Sequence, residues 1–207
     1  MVGVNGSGKD TIGHEIIDRR RELVVLSGAQ ILMHNLGMDV GIEVTFPPQT
    51  TSEMYRQLEQ TPKEVKAVMC DTVFKDTLQA FRATGKTYVL FSQLVVAFTL
   101  ANNGGGITFQ PEDTTWYPEV FDQFVYVRAT PEELTARRER DLQNGARNRG
   151  RIALSDLQLH QQLYDQVWED LTEVVGDPGR MFIVQNTEGK LADSVRAVEQ
   201  FLFSEPE

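Results

Sequence analysis

The chain has 207 residues, 41% hydrophobic and 24% charged, enough to bury one core and short for two domains. Thirty acidic against twenty basic residues leave a formal charge of −10, which disfavours general association with nucleic acid or anionic lipid. No apolar run reaches the roughly 20 residues of a membrane helix, no secretory signal pattern opens the chain, and a single cysteine, Cys70, excludes an internal disulfide and a cysteine-rich zinc site. The expectation is one cytoplasmic domain spanning 1–207.

The first element carries the strongest chemistry: Gly3-Val4-Asn5-Gly6-Ser7-Gly8-Lys9-Asp10-Thr11. A loop that wraps a phosphate must turn successive backbone N–H groups inward, and glycines allow this because no Cβ stands in the way. Such a loop must then open into a helix whose N-terminus faces the anion, here Thr11 to Arg21. Lys9 adds a full positive charge, and the Thr11 hydroxyl suits magnesium or a phosphate oxygen. A flexible Gly/Ser terminus is the bland alternative. Asp10 stands where the commonest form of this motif carries a hydroxyl, which here comes one residue later.

Farther along, Leu23 to Leu26 reads as a buried strand, short and continuously apolar, and Pro62 to Ala83 has helical spacing. Tyr88 to Phe91 is a second strand. Asn102 to Pro118, with three consecutive glycines and Trp116-Tyr117 near its end, reads as a long loop, either over a site or as a surface excursion. Phe124 to Val127 is a third strand. Thr130-Pro131-Glu132-Glu133 is a capping-box helix start, and Ser155-Asp156-Leu157-Gln158 is a second start for a helix running to about Val175. Met181 to Val184 is a last strand, followed by a helix within Glu188 to Phe203. Strands alternating with helices predict an α/β fold with a parallel sheet.

Between Arg128 and Arg151 seven arginines face four acids, the one sizeable basic island in an acidic chain. Arg137 and Arg138 fall near the end of the Thr130 helix, and Arg147, Arg149 and Arg151 alternate along a Gly/Asn loop. A planar guanidinium grips two phosphate oxygens at once, so the island reads either as a lid that closes on phosphates or as a solvated helix end with a basic tail. His14, His34 and His160 lack ligand spacing and read as structural or surface residues, Cys70 as a buried thiol, and Tyr164 and Trp168 as core.

Gly3 to Thr11 follows the pattern G-x-x-G-x-G-K-x-T of nucleoside monophosphate kinases, and the order of elements resembles the archaeal-type adenylate kinases. The resemblance implies a three-layer P-loop NTPase fold with a central parallel sheet, monophosphate-site helices within 28–84 and an arginine-rich lid at 137–154. It implies transfer of the ATP γ-phosphoryl group to a nucleoside monophosphate with Mg2+. In that scheme Asn5, Gly6, Ser7, Gly8, Lys9, Asp10 and Thr11 cradle ATP, helped by Arg137, Gln185 and Asn186. Gly28, Ala29 and Arg56 take the acceptor, while Lys9, Arg138, Arg147 and Arg149 stabilise the transferring group. Two departures stand out. Only Met1 and Val2 precede Gly3, so the first strand is expected to be truncated and to leave two sheet edges exposed. Phe91 stands where the family has a magnesium-orienting carboxylate, so an ATP-binding protein or ATPase without monophosphate kinase activity is the second expectation, and a nucleic-acid-end kinase a third.

Overall fold

The computed structural model describes residues 1–41, 43, 57, 60–62, 64–65, 74–92, 94–99, 107–144 and 152–203. Arg56, Cys70, Arg147, Arg149 and Arg151 lie outside these residues. In chain order the described elements are α1 (Lys9–Arg19), β1 (Val24–Ser27), α2 (Gly28–Asn35), α3 (Phe74–Ala83) and β2 (Tyr88–Phe91). There follow β3 (Val95–Thr99), β4 (Ile107–Pro111), α4 (Tyr117–Val120), β5 (Phe124–Arg128) and α5 (Pro131–Gln143). The last are α6 (Leu154–Val175), a 3-10 turn at Pro178–Arg180, β6 (Met181–Gln185) and α7 (Leu191–Phe203).

The fold is mixed α/β with short parallel sheets. β1 pairs with β2 in parallel, Val24 opposite Tyr88 and Ser27 opposite Phe91, and β5 pairs with β6 in parallel, Phe124 opposite Met181 and Arg128 opposite Gln185. β5 alternates between two apolar layers, as a strand covered on both faces must. Phe124 and Tyr126 join a core with Leu26, Leu90 and the α6 residues Leu157, Tyr164, Trp168 and Leu171. Val125 and Val127 join the opposite core with Ile12 and Ile16 of α1 and Val195 and Val198 of α7. Tyr164 and Trp168 are therefore core, as their spacing implied.

Met1 and Val2 do not leave the neighbouring strand ends unpaired. Met1 and Val2 lie between the two parallel pairs and bond to both. The Met1 amine donates to Leu90 O at 2.7 Å and Ser92 N donates to Met1 O at 3.1 Å. On the other side Val2 N donates to Val125 O and Val127 N to Val2 O, both at 2.9 Å. Two residues thus supply a rung of four hydrogen bonds and join β2 to β5.

Two further readings need correction. The stretch Asn102 to Pro118 is not all loop: Ile107–Pro111 forms β4, antiparallel to β3 with Val95 opposite Pro111 and Thr99 opposite Ile107. Its alternating Ile-Thr-Phe-Gln pattern was masked by the glycines before it. Trp116 and Tyr117, near the end of that stretch, are buried and pack edge-on with Phe74 and Phe121. The α6 helix begins one residue before Ser155, with Ala153 as a cap that contributes no side-chain bond. The capping box at α5 is as expected: Glu133 N donates to Thr130 Oγ1 at 3.2 Å and Thr130 N to Glu133 Oε2 at 3.0 Å. No helix among the described residues is long and apolar enough to cross a membrane.

The Met1 side chain is partly exposed, but its amine is enclosed, and burial followed by the charge of Lys9 lowers its pKa from 8.0 to about 5. Burial likewise lowers His160 to about 4. Both groups are more readily protonated in the unfolded chain, so stability rises with pH, through about 4 to 6.5 for His160 and about 5 to 8 for Met1. Between pH 6.5 and 8 the amine is, among the described groups with a shift, the one that sets the slope. Urea unfolding is expected to show a gain of about 1–2 kcal/mol across that interval. A flat profile there would contradict the enclosed amine.

Candidate functional site

Parallel strands end on the same side, so the residues that follow them converge on one edge of the fold. After Val2 comes the Gly3–Gly8 turn, and after β1 comes the N-terminus of α2 at Gly28. Arg128 ends β5, and Gln185 with Asn186 ends β6. Convergence of these segments is a consequence of topology rather than of any single residue.

The turn is held almost entirely by its carbonyl groups. Gly3 O accepts from Tyr164 Oη at 3.1 Å, and Val4 O from Ser7 N at 2.9 Å. Asn5 O accepts from Arg138 Nη2 at 3.4 Å, and Gly6 O from Arg137 Nη1 at 3.2 Å. Ser7 O takes two donors, Arg137 Nη1 at 2.9 Å and Asn186 Nδ2 at 2.7 Å, and Gly8 O takes Ile12 N at 2.9 Å. Every carbonyl from Gly3 to Gly8 is therefore an acceptor in use. A trans peptide sets its N–H opposite its C=O, so anchoring the carbonyls of Asn5 and Ser7 on the arginine wall turns the amides of Gly6 and Gly8 to the opposite side.

Glycine is required twice here for different reasons. Gly6 and Gly8 sit at φ 100 and 94, where side chains other than glycine are strained. Gly8 is also close-packed: a Cβ there would collide with Asn186 Nδ2. As the residue capping α1, Gly8 brings no side chain to the first-turn amides. The helix therefore presents its partial positive end without an internal partner from the cap. Lys9 lies in that first turn, 6% exposed, with its Nζ 3.5 Å from Asp10 Oδ1. The acidic residue that looked anomalous in the sequence is thus beside the ammonium. Thr11 is exposed on the same turn.

Arg137 does not stand across from the turn, as a lid arginine would, but grips it from behind. Besides its two carbonyls on the turn it donates from Nη2 to Asn186 O at 2.5 Å, and its Nε lies 3.8 Å from Glu188 Oε2. Arg138 is buried against Asn5 O. Asn186, expected beside a nucleotide base, is buried and spent on Ser7 O, with its own N donating to Arg128 O at 2.8 Å. Gln185 is exposed at the end of β6. Glu133 Oε1 accepts from Glu188 N at 3.1 Å, which ties the start of α5 to the segment carrying Asn186.

Gly28 and Ala29 open α2, whose cap Ser27 also makes no side-chain bond. Phe91 fills the space under α1: a Cβ on Gly13 would collide with its ring, and His14 meets it edge-on at 6.0 Å. Among the described residues no group of three His, Cys, Asp or Glu side chains could hold a metal ion.

Sequence reasoning missed one supporting cluster. Tyr126, Asp165, Gln161 and Arg128 form a network beneath the turn, with Arg128 bidentate to Asp165 at 3.0 and 2.8 Å. Burial opposes ionisation of Asp165, but the bonds from Arg128 and Tyr126 outweigh it and hold its carboxyl below the ordinary range. The i, i+4 spacing of Gln161 and Asp165 on one helix face was the only sequence signal for it.

No protein-family profile matches the chain, and no curated protein matches it in sequence.

Removing the Arg137 clamp should loosen the turn. Arg137→Ala is expected to cost about 2–3 kcal/mol in urea unfolding, because Gly6 O, Ser7 O and Asn186 O lose a charged donor. Arg137→Lys should recover less than half, since one ammonium cannot span the three carbonyls. Full recovery by lysine would mean that charge, not the fork, holds the turn.

Proposed function

We propose that the chain is a nucleoside monophosphate kinase of the adenylate kinase kind, using Mg-ATP. The single observation that carries this reading is the one-sided anchoring of Gly3 to Gly8 at the uncapped N-terminus of α1, with Lys9 in its first turn. Glycine amides at a helix N-terminus beside an ammonium favour a polyphosphate over a neutral or cationic ligand. In this reading the two parallel pairs and Met1-Val2 together make the central sheet of a P-loop NTPase fold.

The residues fit the cofactors in part. The Gly6 and Gly8 amides and the α1 N-terminus would receive the ATP phosphates, and Lys9 would follow the γ-phosphoryl group. The Thr11 hydroxyl and the Asp10 carboxylate are oxygen donors that Mg2+ accepts. When bound, Mg-ATP supplies the phosphoryl group and the divalent charge that neutralises it. The N-terminus of α2 at Gly28 and Ala29, together with Arg56, would receive the acceptor phosphate, which is already anionic and needs no general base. Arg147 and Arg149 would bring positive charge to the transferring group. Arg137, Arg138 and Asn186 act here as positioning residues, which hold the turn in shape and leave its amides pre-aimed.

A second reading is favoured by two specific observations. Phe91 places an aromatic ring where an orienting carboxylate would serve transfer, and Asp10 partly neutralises Lys9. Both point to a protein that binds or hydrolyses ATP without passing phosphate to a monophosphate.

Calorimetry with ATP tests the common premise. Lys9→Ala is expected to weaken binding about tenfold or more, and Asp10→Asn to strengthen it several-fold by releasing the ammonium. Unchanged affinity in Lys9→Ala would remove the phosphate assignment. A coupled assay with AMP, CMP, UMP and GMP separates the two readings: turnover with any of them supports the kinase, while binding without turnover supports the second.

A further inference from the structure

Joined through Met1 and Val2, the two parallel pairs have two outer edges, β1 and β6. At β1, Leu26 forms an antiparallel bridge with Glu43, so that edge carries a covering segment. At β6 no strand or bridge adjoins the outer edge among the described residues. Edge strands are ordinarily guarded by charge, proline or a bulge, because their outward N–H and C=O groups can template another strand. β6 has none of these. It reads Met-Phe-Ile-Val-Gln and pairs residue for residue with β5 through all five positions. Ile183, at its midpoint, is 46% exposed, and of the large apolar side chains exposed among the described residues it alone belongs to a strand.

The direction of each backbone group on β6 follows from the ladder. Asn186 N donates to Arg128 O, so Phe182 and Val184, in step with Asn186, turn their groups toward β5. The N–H and C=O groups of Met181, Ile183 and Gln185 therefore point outward. Gln185 O also takes a bond from Ser194 Oγ at 3.5 Å, which leaves its second lone pair for another donor. Side chains alternate in the same way: Met181 packs on the core of the α6 side, Phe182 and Val184 on that of the α7 side. Ile183, level with Tyr126, stands on the α6 side.

We infer that β6 is a self-association edge: two copies of this chain pair antiparallel through it, about a two-fold axis at Ile183. Three observations select a second copy as the occupant. The outward groups are symmetric about Ile183, so Ile183 meets the partner's Ile183 and Met181 meets the partner's Gln185 without any offset. On the α7 side Phe182 meets the partner's Val184, so both faces of the junction gain apolar contact. The strand is uncharged in a chain of net −10, and two such chains can meet along it without opposing like charges. A basic peptide drawn to the acidic chain would find no carboxylate on β6 to read. Because the contact is isologous and the β1 edge is covered, pairing closes at two copies and does not propagate into a fibre.

Sedimentation equilibrium of the full chain at about 100 μM is expected to give twice the single-chain mass for most of the material. Ile183→Lys changes an exposed side chain and should weaken association at least about tenfold, since it opposes two ammonium groups at the axis. Ile183→Val should keep the dimer. Register is read by mild oxidation of cysteine variants on a Cys70→Ala background. Ile183→Cys should link two chains, because Cα atoms of a hydrogen-bonded antiparallel pair lie about 5.5 Å apart, within reach of a disulfide. Gln185→Cys, which faces the partner's Met181, should link at least about tenfold more slowly. A monomer at that concentration, whatever else covers the edge, would overturn the proposal. So would a dimer that Ile183→Lys leaves intact, or cysteines that link equally at both positions. None of these readouts involves nucleotide, so this inference stands or fails separately from the kinase reading.

Discussion

The arrangement at the edge of the sheets depends on one constraint: six consecutive carbonyls, Gly3 to Gly8, must all find donors on the same structure. An enclosed carbonyl without a donor costs more than most single contacts return, so the donors are not optional. Val4 O and Gly8 O are served locally by Ser7 N and Ile12 N, and the other four take donors from three elements distant in sequence. Tyr164 reaches in from α6, Arg137 and Arg138 from α5, and Asn186 from the end of β6. The turn consequently takes its shape only when both parallel pairs and the helices on either side of them are assembled. Local flexibility of the glycines permits the conformation, and distant donors select it.

The same economy explains why a two-residue segment can join the halves of the fold. Met1 and Val2 lead directly into Gly3, and their four hydrogen bonds set the height and direction at which the turn leaves the sheet. Val4, buried in the core of the α6 side, continues that seat. Below the turn, Tyr126 and the Arg128–Asp165 pair fill what would otherwise be apolar space with bonded polar groups. A network of this kind gives up its geometry as a unit, because leaving one member unpaired inside the protein is costly.

Charge at the site is more balanced than the glycine-lysine pattern suggests. The Lys9 ammonium is enclosed beside Asp10, and the nearby arginines are committed to carbonyls and to Glu188. Positive potential at the amide side of the turn then rests on the helix end and on Lys9, tempered by one carboxylate. Phe91, wedged under Gly13, makes the floor beneath α1 apolar. On the proposed reading, these features suit holding an anion more than passing phosphate from it.

Residue patterns local in the chain were legible without coordinates: the strands around Leu26, Leu90, Val125 and Ile183, the capping box at Thr130, and the glycine-rich opening before α1. Each rests on contacts within a few residues or on a repeating period, which a sequence displays directly. β4 escaped notice because a run of glycines beside it imitates a loop. The role of Arg137 was likewise hidden. Its residue type signals phosphate, but the direction of a guanidinium depends on which carbonyls assembly brings within reach, here those of Gly6, Ser7 and Asn186, more than forty residues away. The sequence alone determined which segments could be strands, helices and a turn. Tertiary structure alone decided which donors hold the carbonyls of that turn, because four of the six are served from elements more than a hundred residues away.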